Sequence, residues 1–255
     1  MIFTICINTR DDLEPKQHAS LLARSLLNTA PSLIMQRINN YEPIRHIVGD
    51  DIQAELERFW AYPVLWTRRS PQVEGSVWFG NRRNHSGIVI KPTCPISLID
   101  QFDAFIRDVA TWLTIDLAYI YYCYDEELKG PKYDESAYAM SLGIATQDMK
   151  RGIPDLAWRT YFGQVYAEVI GRGRLLSCPA DKVEEAEGGL IAVTLTSRAG
   201  GSYAEYESAR HTAKTHIGLD VFWPREPQEP ELPRRVPAFD FGPHPSPGLR
   251  GAASR

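Results

Sequence analysis

Cysteine is scarce in this chain: there are four in 255 residues, at Cys6, Cys94, Cys123 and Cys178, each standing alone. With no C-x-x-C pair and no histidine at metal spacing, they exclude a zinc ribbon or a disulfide framework and read as reduced, mostly buried thiols. Long apolar runs are missing too. No segment reaches the roughly eighteen uninterrupted apolar residues needed to span a bilayer. The opening MIFTICINTRDD has no basic start and meets Asp11 and Asp12 early, so it does not read as a secretory signal. A bacterial cytoplasm is the expected location. A strong charge imbalance is also lacking, and the net charge of −4 argues against general binding to nucleic acid or anionic membrane. Internal repeats are absent, and the length suits one large domain or two small ones.

Catalytic signatures are equally sparse. There is no G-x-x-x-x-G-K-[ST] and no H-E-x-x-H. Gly171-Arg172-Gly173-Arg174 resembles half of a dinucleotide fingerprint, but it lacks the third glycine and closes a helical pattern instead of opening one. His211 and His216 are five positions apart, about 140° around a helix, so they do not share a metal. Ser177, Cys178 and Cys94 have no nucleophile setting such as G-x-S-x-G. Pro154-Asp155 and Glu127-Leu128-Lys129 superficially match a metal-dependent nuclease motif, whose chemistry needs carboxylates gathered around a hard cation with a lysine nearby. Their chain order is reversed, and Asp155 reads better as a helix cap and Glu127 as part of a solvated loop. No catalytic residue, metal ligand or cofactor is assigned.

What the sequence does contain is apolar periodicity. From Gly152 to Ile170, the residues Trp158, Tyr161, Phe162, Val165, Tyr166, Val169 and Ile170 recur three and four apart, which predicts a helix with one buried face. Gly163 interrupts that pattern, and Gly171 can end it. A second stripe, Leu98, Phe102, Phe105, Ile106, Val109, Trp112 and Leu113, follows the capping-box pair Ser97 and Asp100. Helices are also expected after Asp11 and Asp12 through Leu22, Leu26 and Leu27, from Asp51 through Leu56 and Trp60 with Asp50 as cap, and from Ser202 with Glu205 through Tyr206 to Ile217.

Strands are predicted at Met1 to Ile7, Ile44 to Val48, Leu117 to Tyr124 and Leu190 to Leu195. Val77 to Phe79 and Ile88 to Ile90 form a hairpin around Gly80, Asn81, Asn84 and Gly87, with Arg82, Arg83 and His85 on its solvated turn. Thr67 to Glu74 reads as loop. The fold expected is α+β: helices packed on a largely antiparallel sheet in a single domain over 1–223. Beyond Trp223, prolines from Pro224 to Pro247 with few apolar residues predict an extended or disordered tail over 224–255.

Two acidic stretches stand out, Asp125, Glu126, Glu127, Asp134 and Glu135, then Asp181, Glu184, Glu185 and Glu187. Solvated faces explain them simply. Alternatively they meet a basic partner, where complementary charge speeds association. A nucleic-acid-cutting enzyme is such a partner, because its own groove attracts phosphates.

Trp158, the pair Phe162-Gly163, Tyr166, Gly171, Leu175-Leu176 with Pro179, and Leu195-Thr196 followed by Arg210, Lys214 and His216 together resemble the immunity protein 52 family of bacterial polymorphic toxin and type VI secretion systems. The resemblance spans Gln147 to Trp223 and, more loosely, the helix from Ser97. Where the family carries prolines after Phe-Gly, this chain has Gln164 and Val165. The members it looks most like are paired with a secreted effector bearing a restriction-endonuclease-like toxin domain. The resemblance implies a non-enzymatic α+β protein that binds and neutralises its cognate nuclease toxin, with no catalytic residues, no cofactor and no nucleic-acid or membrane ligand. The acidic loops are the expected contact, at Asp125, Glu126, Glu127, Asp134, Glu135, Glu184, Glu185 and Glu187. Two other classes remain open: a hydrolase or nuclease whose site is assembled from remote residues, and a chaperone or adaptor that loads an effector for secretion.

Overall fold

The computed structural model describes residues 1–128, 134–223 and 234–242. In chain order the elements are β1 (Phe3–Thr9), α1 (Gln17–Thr29), β2 (Arg37–Asn39), β3 (His46–Ile47), α2 (Ile52–Phe59), β4 (Val64–Arg69), β5 (Gln72–Trp78), β6 (Ser86–Thr93), α3 (Ile99–Val109), β7 (Ile115–Tyr122), α4 (Asp125–Leu128), α5 (Glu135–Leu142), α6 (Thr146–Arg151), β8 (Arg159–Phe162), α7 (Gln164–Ile170), α8 (Arg172–Leu176), β9 (Lys182–Glu185), β10 (Ile191–Thr194) and α9 (Tyr203–Ile217). Among the described residues the strands form one sheet in the order β3-β2-β4-β5-β6-β1-β7-β8-β10-β9, antiparallel at every pairing. The chain is a single α+β domain.

β1 lies near the middle, and all seven of its residues are buried. Because side chains alternate across a strand, its two faces meet different layers. Phe3 packs edge-on against Phe102 of α3, with ring centroids 5.5 Å apart. On the other face Thr4 donates to the Ser141 carbonyl of α5 at 2.8 Å, and Tyr119 of β7, opposite Cys6, donates to Met140 O at 3.0 Å. The sheet centre is therefore covered on both sides, which explains why β1 and β7 read as nearly continuous apolar runs. The β4–β5 hairpin differs, since Val64, Trp66, Val73 and Val77 are buried while Glu74 and Trp78 face solvent. A side chain at Gly75 would place its Cβ 1.9 Å from the Trp66 indole, so only glycine lets that ring lie flat on the strand.

Several expectations hold: β1, β7, β10, the β5–β6 hairpin, and Ser202 capping α9 by accepting Glu205 N–H at 3.5 Å. Others are corrected. The stretch from Gly152 to Ile170 is not one helix, for Arg159–Phe162 pairs as β8 between β7 and β10, and only Gln164–Ile170 is helical. Trp158, Tyr161, Phe162, Tyr166 and Ile170 are all buried, but they share no single face, because Tyr161 and Phe162 are neighbours in a strand and point to opposite sides of the sheet. Gly163 marks the change: its N–H donates to Asp116 O at 2.9 Å, and a Cβ there would sit 2.0 Å from Ile115 O. The predicted loop at Thr67 to Glu74 is the β4–β5 hairpin, turning at Ser70-Pro71. Asp51, not Asp50, caps α2, and α3 follows a short 3₁₀ turn without a side-chain cap from Ser97. Asp11 and Asp12 open no helix, since α1 begins at Gln17, and Asp11 instead accepts Thr114 N–H at 2.7 Å. Leu27 is exposed.

Of the tail, residues 234–242 run without regular structure along the domain, where Arg235 pairs with Asp220 and the Phe239 ring lies 6.2 Å from that of Tyr166. Residues 129–133, 224–233 and 243–255, which include Lys129, Gly130, Pro131 and Pro224 to Pro233, lie outside the described residues. All four cysteines are free and buried, and burial pushes each thiol up to about 11. No helix among the described residues is long and apolar enough to cross a membrane.

Candidate functional site

The acids singled out from the sequence are mostly engaged within the chain. Asp134 caps α5 by accepting the Ser136 and Ala137 N–H groups, each at 3.0 Å. Glu135 pairs with Arg151 at 2.9 Å, and Glu185 with Arg172 at 2.7 Å. Glu184 sits among Arg107 at 2.7 Å, Arg159 at 2.5 Å and Lys182 at 2.9 Å, while Glu187 meets Arg107 at 3.1 Å. Burial alone would raise the Glu184 carboxyl, but the hydrogen bonds from Lys182 and Arg159 and the neighbouring guanidinium charges hold it down at about 2. Asp125 and Glu126 are exposed at the start of α4.

Glu127 is a correction, because it lies in a helix and is 5% exposed, not on a solvated loop. Its Oε1 accepts from Arg210 Nη1 and its Oε2 from the Tyr121 hydroxyl, each at 2.5 Å. Arg210 also lies 3.4 Å from Asp155, and Lys214 binds Asp155 at 2.9 Å. Asp155 is thus a buried partner of α9, not the cap of a helix. The two carboxylates that looked like separated pieces of a nuclease motif do converge, yet arginine and lysine fill the space between them. Burial raises the Glu127 carboxyl against the opposing pull of Arg210. The signal missed in the sequence was Arg210 and Lys214, spaced i,i+4 on the same face as Tyr206, Ala213 and Ile217, since cations on an apolar face demand buried acids. Among the described residues, no group of three or more His, Cys, Asp and Glu is placed to hold a metal ion.

An open feature lies elsewhere. A groove of about 970 Å³ runs between the β5–β6 turn and the junction of α5 with α6, bounded by Tyr62, Trp78, Arg82, Arg83 and Leu142. Trp78 is 48% exposed, Tyr62 55% and Leu142 47%. Arg82 and Arg83 are exposed as expected, but His85, at the base of the groove, is buried. Its Nδ1 lies 3.0 Å from Thr146 Oγ1 and its Nε2 3.1 Å from Asp116 Oδ2, and its backbone N–H donates to Thr146 Oγ1 at 2.7 Å. Arg10 grips the same Asp116 carboxylate through Nε at 2.7 Å and Nη2 at 3.1 Å. Phe239 and Phe241 meet the His85 ring edge-on at 4.6 and 5.0 Å.

No family model matches the chain, and no curated protein matches it. A solved structure does. The chain is similar to the Pseudomonas aeruginosa T6SS protein PA0821, with a TM-score of 0.50 and 12% identity over 84% of this chain and 76% of that one. At that identity the likeness is one of fold.

The groove can do two things chemically. Half-exposed aromatic rings beside guanidinium groups offer the combination that anchors protein partners. The Thr146, His85 and Asp116 chain is ordered like a nucleophile, base and orienting acid, but Thr146 is 4% exposed and its Oγ1 already accepts the His85 backbone N–H.

Proposed function

We propose that this chain is the immunity protein of a type VI secretion system, which binds a cognate secreted toxin, a nuclease effector, and neutralises it by covering its active surface. The observation that carries this reading is the fold it shares with a T6SS protein over most of both chains. The series Trp158, Phe162-Gly163, Tyr166, Arg210 and Lys214, resembling the immunity protein 52 family, supports the finer claim. The chain acts by binding and turns nothing over. A doubly covered sheet presents its surface with little reorganisation on binding, which favours affinity. An antidote that saturates its toxin at low copy number needs a Kd of about 1 nM or below, about −12 kcal/mol. An interface of roughly 1,600 Å² with a few aromatic or arginine anchors is sufficient.

Co-expression tests it. Cells expressing the T6SS nuclease effectors of the source genome one at a time should stop growing, and those expressing the cognate effector should recover when this chain is supplied. Continued arrest at excess chain would remove the immunity reading.

One observation favours a second reading, a hydrolase: Thr146 and His85 border the groove, with Asp116 behind His85. The burial of Thr146 weighs against it, and hydrolysis by the isolated chain would be needed to restore it. An effector-loading adaptor differs from an antidote in leaving the toxin's active site free.

A further inference from the structure

We infer that the groove between the β5–β6 turn and the α5–α6 junction is where the toxin docks, through an acidic segment of the toxin that carries a large apolar side chain. This rests on the immunity reading above and relocates the contact away from the acidic loops. Three of the chain's exposed large apolar side chains, Tyr62, Trp78 and Leu142, converge on this one groove. A cluster of this kind on an otherwise solvated surface marks an interaction site, and tryptophan, tyrosine and arginine are the residues that dominate binding energy.

The anchors are held in place before anything binds. Trp78 Nε1 donates to Ser76 Oγ at 2.8 Å, and the Tyr62 ring backs onto Phe79 at 6.4 Å, which in turn packs on Trp60 at 5.4 Å. The turn bearing the arginines is tied down as well. Asn81 and Asn84 exchange backbone hydrogen bonds at 3.0 and 3.2 Å, Gly80 N–H donates to Ser86 Oγ at 2.9 Å, and His85 is fixed to Thr146. Side chains already ordered lose little freedom on association.

Charge gives the partner's sign. Arg82 and Arg83 line this groove with Asp12 and Glu14, and Lys150 adds a further cation beside Arg83, in a chain whose net charge is −4. The Arg83 guanidinium has no ion-pair partner among the described residues, and Lys150 reaches only the Arg83 carbonyl, at 3.5 Å. Glu184, Glu185 and Glu187 are by contrast already paired with arginines of the same chain. A basic partner there would have to displace those contacts, whereas an acidic segment in the groove meets Arg83, which has no ion-pair partner among the described residues.

The test uses a purified T6SS nuclease effector from the source genome whose toxicity this chain relieves in cells, titrated calorimetrically against the full chain and its variants. The groove predicts that Trp78→Ala weakens binding by roughly 30-fold or more, the loss typical of a central aromatic anchor. Arg83→Glu should slow association most at low salt, and Glu126→Lys and Glu185→Lys should bind within a few-fold of wild type. Unchanged melting temperatures would show that the half-exposed substitutions leave the fold intact. If Trp78→Ala and Arg83→Glu bind like wild type while the Glu126 and Glu185 variants fail, the groove is wrong and the immunity reading stands. If the wild-type chain does not bind the effector, both fall. Self-association through Trp78 without effector, seen in sedimentation, would assign the groove to a second copy and overturn the inference.

Discussion

Arg210 and Glu127, 83 positions apart in the chain, meet as a buried pair at 2.5 Å, with side-chain exposures of 1% and 0%. With Asp155 and Lys214 they tie α9 to α4 and to the segment preceding β8. Removing one member of such a pair leaves a charge in the interior without its partner, which is far costlier than replacing the whole set. Arg210→Met should therefore destabilise the protein by about 3–5 kcal/mol, measured by urea unfolding. A loss under about 1 kcal/mol would mean that water reaches the network.

Acid should loosen the Glu184 cluster. The folded carboxyl titrates at about 2 against an ordinary 4.5, so on acidification the unfolded chain takes up its proton first. The stabilisation is complete above about pH 4.5 and is lost as pH falls toward 2. Thermal melts of wild type and Glu184→Gln across that window should converge at low pH, since the variant has no carboxyl to protonate. Parallel curves would show that Glu184 contributes nothing.

Gly163→Ala probes the junction of β8 with α7. The new methyl would overlap Ile115 O at 2.0 Å and Asp116 O at 2.9 Å, and backbone atoms cannot swing aside as a flexible side chain would. Forced overpacking of this kind costs about 1–3 kcal/mol, and loss of the Gly163 N–H to Asp116 O bond would add to it. Equilibrium unfolding measures the change. A neutral result would place the strand-to-helix turn elsewhere.

Thr146→Val separates a pin from a nucleophile. Its hydroxyl joins the β5–β6 turn to α6, so its removal should cost about 1–2 kcal/mol and loosen the turn that carries Arg83. Toxin binding weakened by a few-fold, together with a lower melting temperature, fits the pin. A hydrolytic activity present in wild type and abolished in the variant would reverse the assignment.

How far the sequence could be read depended on how each element is buried. β7 was legible as a run of β-branched and aromatic residues, and the β5–β6 hairpin announced itself through Gly80, Asn81 and Asn84. β8 was not legible, because all four of its residues are buried and neither a period of two nor one of 3.6 stands out. Trp158 to Phe162 then merged visually with the helix beyond Gly163. The β4–β5 hairpin was hidden by Arg69 and Glu74, whose charges belong to its open face, and by Arg68, which ends the buried face opposite Val73.

The candidate site was less legible still. Acidic loops drew attention because charge is visible in a sequence, whereas the partner that neutralises each charge is not. Glu127 and Asp155 needed Arg210 and Lys214 from α9, and Glu184 needed Arg107 and Arg159. Trp78, Tyr62 and Leu142 come from three separate segments, and nothing local signals that they share a groove.

The central claim is neutralisation by binding, and the most direct measurement is a nuclease assay of the purified cognate effector, chosen by its rescue in co-expression, at increasing ratios of this chain. Cleavage should fall to background as the ratio reaches one to one, with a stable complex recovered by size-exclusion chromatography. Full cleavage at a tenfold excess of this chain would contradict the account.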